Sequence, residues 1–342
     1  TVAAATLLLT LLGASLSGAG SGETSTGDLF DVAVFVPGVV EGSPTYELLV
    51  AGVERAVEEA EGATVQIVEG GFNQSLWQEG VTSLAASRSF DLIVTSNPSM
   101  PEIAAAVAES FPEQRFLVLD GYLEGNDAIH TVLFNQREQA FLSGYFAGLV
   151  TTSDMEHANP EPRVGLLAGQ EFPIMNGVIL PSYELGLKAA DPEGSVDFRI
   201  LGNWYDGAKA SDLASNMIDG GVDTILAIAG GGNQGVITAA RQRGAYVLWY
   251  DTSGYEEAPG IVIGSSMVRL DRAAYEKTLQ AIEGVLPYGE AVILGAREDY
   301  VTYDTEHREF ERHVPEPIRE ELIAMLRRLR TGDLVLDMPT RF

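Results

Sequence analysis

TILAIAGGGNQGVITAARQRGAYVLWYD, residues 224–251, reads as one complete strand, loop, helix and strand unit. The apolar run 224–229 is short and ends in three glycines, which suits a buried strand and a tight turn better than a long helix. A helix follows, and 246–250 is a second apolar run that closes on Asp251. Strands joined through a crossover helix lie parallel, because the helix returns the chain to the starting edge of the sheet. The loop also contains G-x-G-x-x-G at Gly230, Gly232 and Gly235. Three readings are open for that spacing: a dinucleotide-binding turn, a loop whose bare backbone amides approach another ligand, or a turn that is merely tight. The motif lies far into the chain and no general acid or base accompanies it. The second reading is preferred, with Gly231 and Gly232 as candidate ligand contacts.

Outward from this unit the same alternation continues in both directions. Strands are expected at 164–168, 196–201 and 261–265 on either side of it, and at 31–36, 64–68, 91–95 and 116–119 in the first half. Helix-length segments separate them. In 46–60, Leu49, Val53, Ala56, Val57 and Ala60 recur at helical spacing. The segment 131–136 runs into a helix at 138–150, and 151–163 is a polar surface loop. Helices are expected at 271–284 and 315–330. The fold class is therefore α/β, with two doubly wound parallel sheets forming two lobes. Open sheets of this kind bind ligands at the C-terminal ends of their strands, which places a site in the cleft between the lobes.

Composition narrows the chemistry. The 342 residues carry 21 basic and 49 acidic side chains, a formal charge of -28. So acidic a chain repels phosphate backbones, which excludes nucleic acid as an expected partner. Lysine is scarce: Lys188, Lys209 and Lys277 are the three present. That balance fits either work in high salt or a solubility effect. No cysteine occurs, so disulfides, thiolate metal sites, a cysteine nucleophile and an acylated cysteine have no place in the sequence. His130, His157, His307 and His313 lack zinc-binding spacing, and neither metal nor cofactor is expected. Ser182 and Ser265 have no base nearby in sequence, and the paired acids Glu58-Glu59 and Glu320-Glu321 read as solvated helix faces.

The first 27 residues are set apart. VAAATLLLTLL, 2–12, is too short to span a bilayer, and with Ser17-Gly18-Ala19 beyond it the stretch reads as the core and cleavage site of an export signal. The remainder is expected to be extracytoplasmic.

FNQREQAFLSGYFAGL, 134–149, resembles the F-x-x-x-E-x-x-F-L-x-G-x-x-A motif of the basic membrane protein family, also called the purine nucleoside receptor family, the substrate-binding proteins of bacterial ABC importers. RFLVLDGY (115–122), VGLLAGQEFPI (164–174), AGGGNQGV (229–236), WYDTSG (249–254) and SSMVRLDRAAY (265–275) match in the family's order. The resemblance implies a type I periplasmic-binding fold whose lobes are joined by hinge crossovers near 132–136, 265–268 and 291–303. Its lobes would comprise 28–134 plus 266–342, and 135–265. It implies no enzyme but a monomeric receptor that encloses a nucleoside-like ligand and passes it to an ABC permease. The chain departs from the family at 37–47, PGVVEGSPTYE, where receptors carry an Asp and a Ser-Phe-Asn run, and at Arg269, where the family has lysine. Those departures leave a flavin ligand open, as in spirochaete riboflavin receptors of similar architecture. An exported nucleosidase, a dehydrogenase using the glycine motif and a ligand sensor remain the competing classes.

A neutral ring ligand needs apolar faces for stacking and polar groups for its edge and hydroxyls. The stacking candidates are Tyr46, Phe172 and Trp204, which sit in loops facing the cleft. Asn97 either reads a ring edge or shapes the turn before Pro98. Asp120 and Asp251 end strands and either accept from ligand hydroxyls or cap helices. Arg269 either bonds ligand oxygens or balances Asp251.

Overall fold

The computed structural model describes residues 29–341. The leader expected at 1–27 lies outside them. The first half builds β1 (Phe30–Val36), α1 (Pro44–Glu59), β2 (Ala63–Glu69), α2 (Trp77–Ser87), β3 (Leu92–Ser96), α3 (Met100–Ser110), β4 (Arg115–Leu119) and β5 (Ile129–Phe134). After α4 (Gln136–Thr151) come β6 (Arg163–Ala168), α5 (Leu180–Ala190), β7 (Ser195–Ile200), α6 (Gly207–Asp219), β8 (Thr224–Ile228), α7 (Asn233–Arg243), β9 (Tyr246–Asp251) and β10 (Val262–Val268). The chain then forms α8 (Leu270–Ile282), β11 (Ala291–Leu294), β12 (Val301–Tyr303), α9 (Arg308–His313) and α10 (Glu316–Thr331).

Two six-stranded sheets result, in the orders β11-β5-β4-β3-β1-β2 and β12-β10-β9-β8-β6-β7. Every pairing is parallel except that of β12 with β10. Helices cover both faces of each sheet, so its strands are apolar on both sides. In β1, Val32, Val34 and Val36 enter one core while Ala33 and Phe35 enter another. The helix α4 is buried almost end to end and joins the cores of the two lobes. Its packing on α5 is close enough that a side chain at Gly144 or Gly186 would collide with the Tyr183 or Phe141 carbonyl.

The chain passes from one sheet to the other between β5 and α4, between β10 and α8, and between β11 and β12. The assignment of all of 266–342 to the first lobe needs correction. Residues up to Val268 belong to β10 in the second sheet, and only α8, which packs on α1, and β11, which pairs with β5, return to the first. β12 then closes the open edge of β10, with Ser266 opposite Tyr303 and Val268 opposite Val301. Phe310 of α9 packs on Phe146 and Tyr303, and α10 lies on α4, where the Tyr145 hydroxyl donates to Glu321. The physical cause is the apolar stripe Ile318, Leu322, Met325, Leu326 and Leu329 of α10, which needs a buried face to cover.

Candidate functional site

β4 of the first sheet leads into Asp120 and β9 of the second ends on Asp251, and these two acids lie close enough to influence one another. Between them begins α4, capped by Asn135, whose Oδ1 accepts from the Glu138 amide at 3.3 Å. Gln136 and Gln139 are three residues apart on this helix and so share a face. Gln136 Nε2 donates to Asp120 Oδ1 at 2.8 Å, and Gln139 Nε2 donates to Asp251 Oδ1 at 3.0 Å. One helix thereby holds an acid from each lobe. Both acids stand at left-handed backbone angles, φ 56° for Asp120 and φ 70° for Asp251, which Asp tolerates better than most residues.

The electrostatics of this pair are unusual. Burial pushes the Asp120 carboxyl up to about 7, the Asp251 charge adds to the rise, and the Gln136 hydrogen bond opposes it. Asp251 is pushed up to about 6 by burial, against the Gln139 hydrogen bond. Neither acid has an arginine or lysine among the groups that shift it.

Tyr46 and Asn97 complete the first-lobe side. Tyr46 lies in the first turn of α1, and its hydroxyl donates to the Pro37 carbonyl at 3.0 Å. The phenol is pushed up to about 12, chiefly by burial, with Asn97 opposing and the Asp120 charge adding. Tyr46, Asn97 and Asp120 are therefore neighbours. Asn97 Oδ1 accepts from the Ser99 amide at 3.0 Å, so the side chain shapes the turn into α3. The Gly38 Cα lies against the Tyr46 ring, where a Cβ would come within 2.9 Å of Cε2.

On the second lobe, Trp204 and Phe172 meet with ring centroids 6.3 Å apart at 46°. Trp204 keeps 37% of its surface exposed. Its indole covers Gly169, which has no room for a side chain, and its carbonyl sits beside Gly230 and Gly231. The glycine motif thus has a packing explanation. Gly230 and Gly231 are exposed and leave space for the Trp204 backbone. Gly235 lets α7 approach the Gly207 carbonyl of α6. Gly232 requires a correction: it is buried, a Cβ there would lie 2.6 Å from Leu201 Cδ2, and its amide donates to the Ala229 carbonyl at 3.0 Å, so that amide is spent within the turn.

Arg269 also differs from expectation. Its Nε lies 3.4 Å from Asp299 Oδ2, where Arg272 and Arg330 converge at 4.0 and 2.7 Å. Its ionic partner is Asp299 and not Asp251, because the crossing between β11 and β12 brings that acid beside the start of α8. Of the nine candidates, the structure gathers Tyr46, Asn97, Asp120 and Asp251 around α4, sets Phe172, Trp204 and Gly231 together on the second lobe, buries Gly232 in its turn and pairs Arg269 with Asp299.

Sequence reasoning missed Gln136 and Gln139, and it ranked Tyr250, an aromatic at a strand end, below Tyr46, Phe172 and Trp204. The helical spacing of the two glutamines behind an Asn cap was a usable signal. Glu138, between them, has another task. It is buried, its Oε2 accepts from the Ala296 amide at 2.7 Å, and burial pushes it up to about 7. It ties the first crossing to the third. Among the described residues no group of three or more acids and histidines is arranged to hold a metal ion, and no helix is long and apolar enough to cross a membrane.

Comparison with known proteins adds to this geometry. A family model described as ABC transporter substrate-binding protein PnrA-like, Bmp, matches residues 30–333. Basic membrane protein D of Borreliella burgdorferi is 33% identical over 49% of this chain and 48% of its own length. The ABC transporter nucleoside-binding protein BmpA of Lactococcus lactis is 23% identical over 46% of this chain and 42% of its own. The chain thus spans under half the length of each of these two relatives. An ABC transporter solute-binding protein from Aeropyrum pernix K1 superposes with a TM-score of 0.76 at 22% identity, covering 91% of this chain and 94% of that one. The architecture is the type I fold of periplasmic solute-binding proteins.

Proposed function

Since the chain belongs to the Bmp family of PnrA-like ABC transporter substrate-binding proteins, we propose that it captures a neutral purine nucleoside between its lobes, outside the cytoplasmic membrane, and delivers it to an ABC permease. The observation that carries this reading is the facing pair Asp120 and Asp251, each held by a glutamine of α4. Two acceptors in a half-buried cleft suit the hydroxyls of a sugar, and a net charge of -28 disfavours nucleotides. Tyr46 on one lobe and Trp204 with Phe172 on the other supply apolar faces for a flat ring. The name of the Lactococcus relative, a nucleoside-binding protein, agrees with this.

The receptor works by ligand-dependent closure. A ligand that touches both lobes binds the closed form better than the open one and shifts the population toward it. The reading is of a binding protein, with no cofactor and no turnover. Riboflavin is the second reading, favoured by the departure of 37–47 from the family pattern, a segment that ends in the first turn of α1 and brings in the aromatic Tyr46.

The test is to denature the purified protein, identify any small molecule released, and measure melting with added nucleosides and with riboflavin. A ligand at a hundred times its Kd stabilises by about 2.7 kcal/mol. A purine nucleoside released or stabilising supports the proposal, and riboflavin alone would replace it with the second reading. Conversion of nucleoside to free base during incubation would contradict a receptor.

A further inference from the structure

Several buried side-chain polar atoms have no hydrogen-bond partner among the described residues, and two of them, Gln139 Oε1 and the Tyr250 hydroxyl, belong to side chains at Asp251. Tyr250 precedes Asp251 in β9 and is 7% exposed. Its ring shares a sheet face with Tyr246 and Leu248, in the core that includes α4. Burial raises its phenol well above the usual range, and the charges of both Asp251 and Asp120 add to the rise. The hydroxyl therefore feels an acid from each lobe while donating to neither.

The donors around it are already engaged. Gln136 Nε2 serves Asp120; Gln139 Nε2 serves Asp251 and, at 3.3 Å, the Ser266 carbonyl. An ionised carboxylate can only accept. The Tyr250 hydroxyl is thus a donor left over beside a surplus of acceptors. A phenylalanine would fill the same volume without stranding a hydroxyl, so the phenol costs stability in the empty protein and needs a partner in some other state.

We infer that Tyr250 is a specificity-determining ligand contact, whose hydroxyl donates to a sugar oxygen of the bound nucleoside while the ligand's own hydroxyls donate to Asp120, Asp251 and Gln139 Oε1. This rests on the nucleoside reading and assigns the polar half of that site. The lobes must part for the ligand to reach the phenol, and they close with it in place of the missing partner.

The experiment measures adenosine affinity by calorimetry for the wild type and Tyr250→Phe, together with 2′-deoxy-, 3′-deoxy-, 5′-deoxy- and carbocyclic adenosine, which remove the sugar oxygens one at a time. The variant is expected to bind adenosine about five- to tenfold more weakly. For one analogue the loss should not add to that of the variant, because oxygen and phenol then belong to one hydrogen bond. The ligand-free variant should melt at the same temperature as the wild type or higher, which separates lost contact from damaged fold. Adenosine affinity within twofold of wild type, or strictly additive losses for all four analogues, would overturn the assignment and leave the nucleoside reading intact. Failure of the wild type to bind adenosine, inosine or guanosine would overturn both.

Discussion

Asp120→Asn should stabilise the ligand-free protein at pH 8 while weakening ligand capture. Burial and the Asp251 charge raise the Asp120 pKa from an ordinary 3.8 to about 7. The native state therefore holds this proton longer than the unfolded chain does. The resulting stability is fully present below about pH 4 and is lost as pH rises toward 7. At about 1.4 kcal/mol per unit, three units of rise cost the wild type about 4 kcal/mol once Asp120 is fully ionised. Asn removes that cost. Its amide oxygen can still accept from Gln136 Nε2, and like Asp it tolerates the left-handed φ of 56°. Burying the amide returns part of the gain, so about 2 to 4 kcal/mol is expected at pH 8. With an unfolding entropy of about 2 cal/mol/K per residue, that is roughly 3 to 6 °C in Tm. The assay is thermal unfolding of both proteins without ligand from pH 5 to pH 8. The variant's advantage should grow across this range and be small at pH 5. An Asp120→Asn protein that is less stable at pH 8, or an advantage that does not change with pH, would refute the argument that ionising this acid opposes folding.

Other substitutions separate scaffold from site. Gly186→Val should lower soluble yield and Tm sharply, by well over 3 kcal/mol, because its side chain meets the Phe141 carbonyl where α4 and α5 touch; chemical denaturation would measure it. Glu138→Ala should cost about 1 to 3 kcal/mol by stranding the buried Ala296 amide, and Glu138→Gln, which keeps an acceptor, should recover most of it in the same denaturation assay. Trp204→Ala should leave Tm within a degree or two, since the ring is exposed on one side, yet weaken nucleoside binding about tenfold in a fluorescence or calorimetric titration.

The positions of the strands within each half were legible because parallel strands buried on both faces must be nearly continuous apolar runs, and 224–229 and 246–250 are such runs. The tail was not legible in the same way. β12 is three residues long and antiparallel, too short for any periodic signal, and its partner β10 is determined by which sheet edge stays open. Asp120 and Asp251 could be read from their places at strand ends. Their mutual influence could not, since residues far apart in sequence meet only through the placement of α4. Arg269 shows the same limit: the crossing that supplies Asp299 fixes its partner, and nothing local to 269 specifies it. The glycine loop misled for a different reason. Glycine serves close backbone packing and ligand approach equally well, and only the neighbours of Gly232 and Gly235 tell the two apart.

The acid pair also bears on why closure should wait for the ligand. Asp120 belongs to the first lobe and Asp251 to the second, and each raises the cost of ionising the other or the buried phenol beside them. Bringing the lobes together without a ligand sets two like charges in a half-buried space with no basic side chain among the groups acting on either. On the proposed reading, the empty protein would either hold a proton on the pair or stay open. A ligand with hydroxyl donors changes that balance, because charge-assisted hydrogen bonds to each carboxylate replace the water lost on closing. An anionic ligand adds to the repulsion instead. In the receptor proposed above, selection for a neutral, hydroxyl-bearing molecule and coupling of binding to closure would both follow from the same two side chains, with Gln136 and Gln139 of α4 each holding one of them.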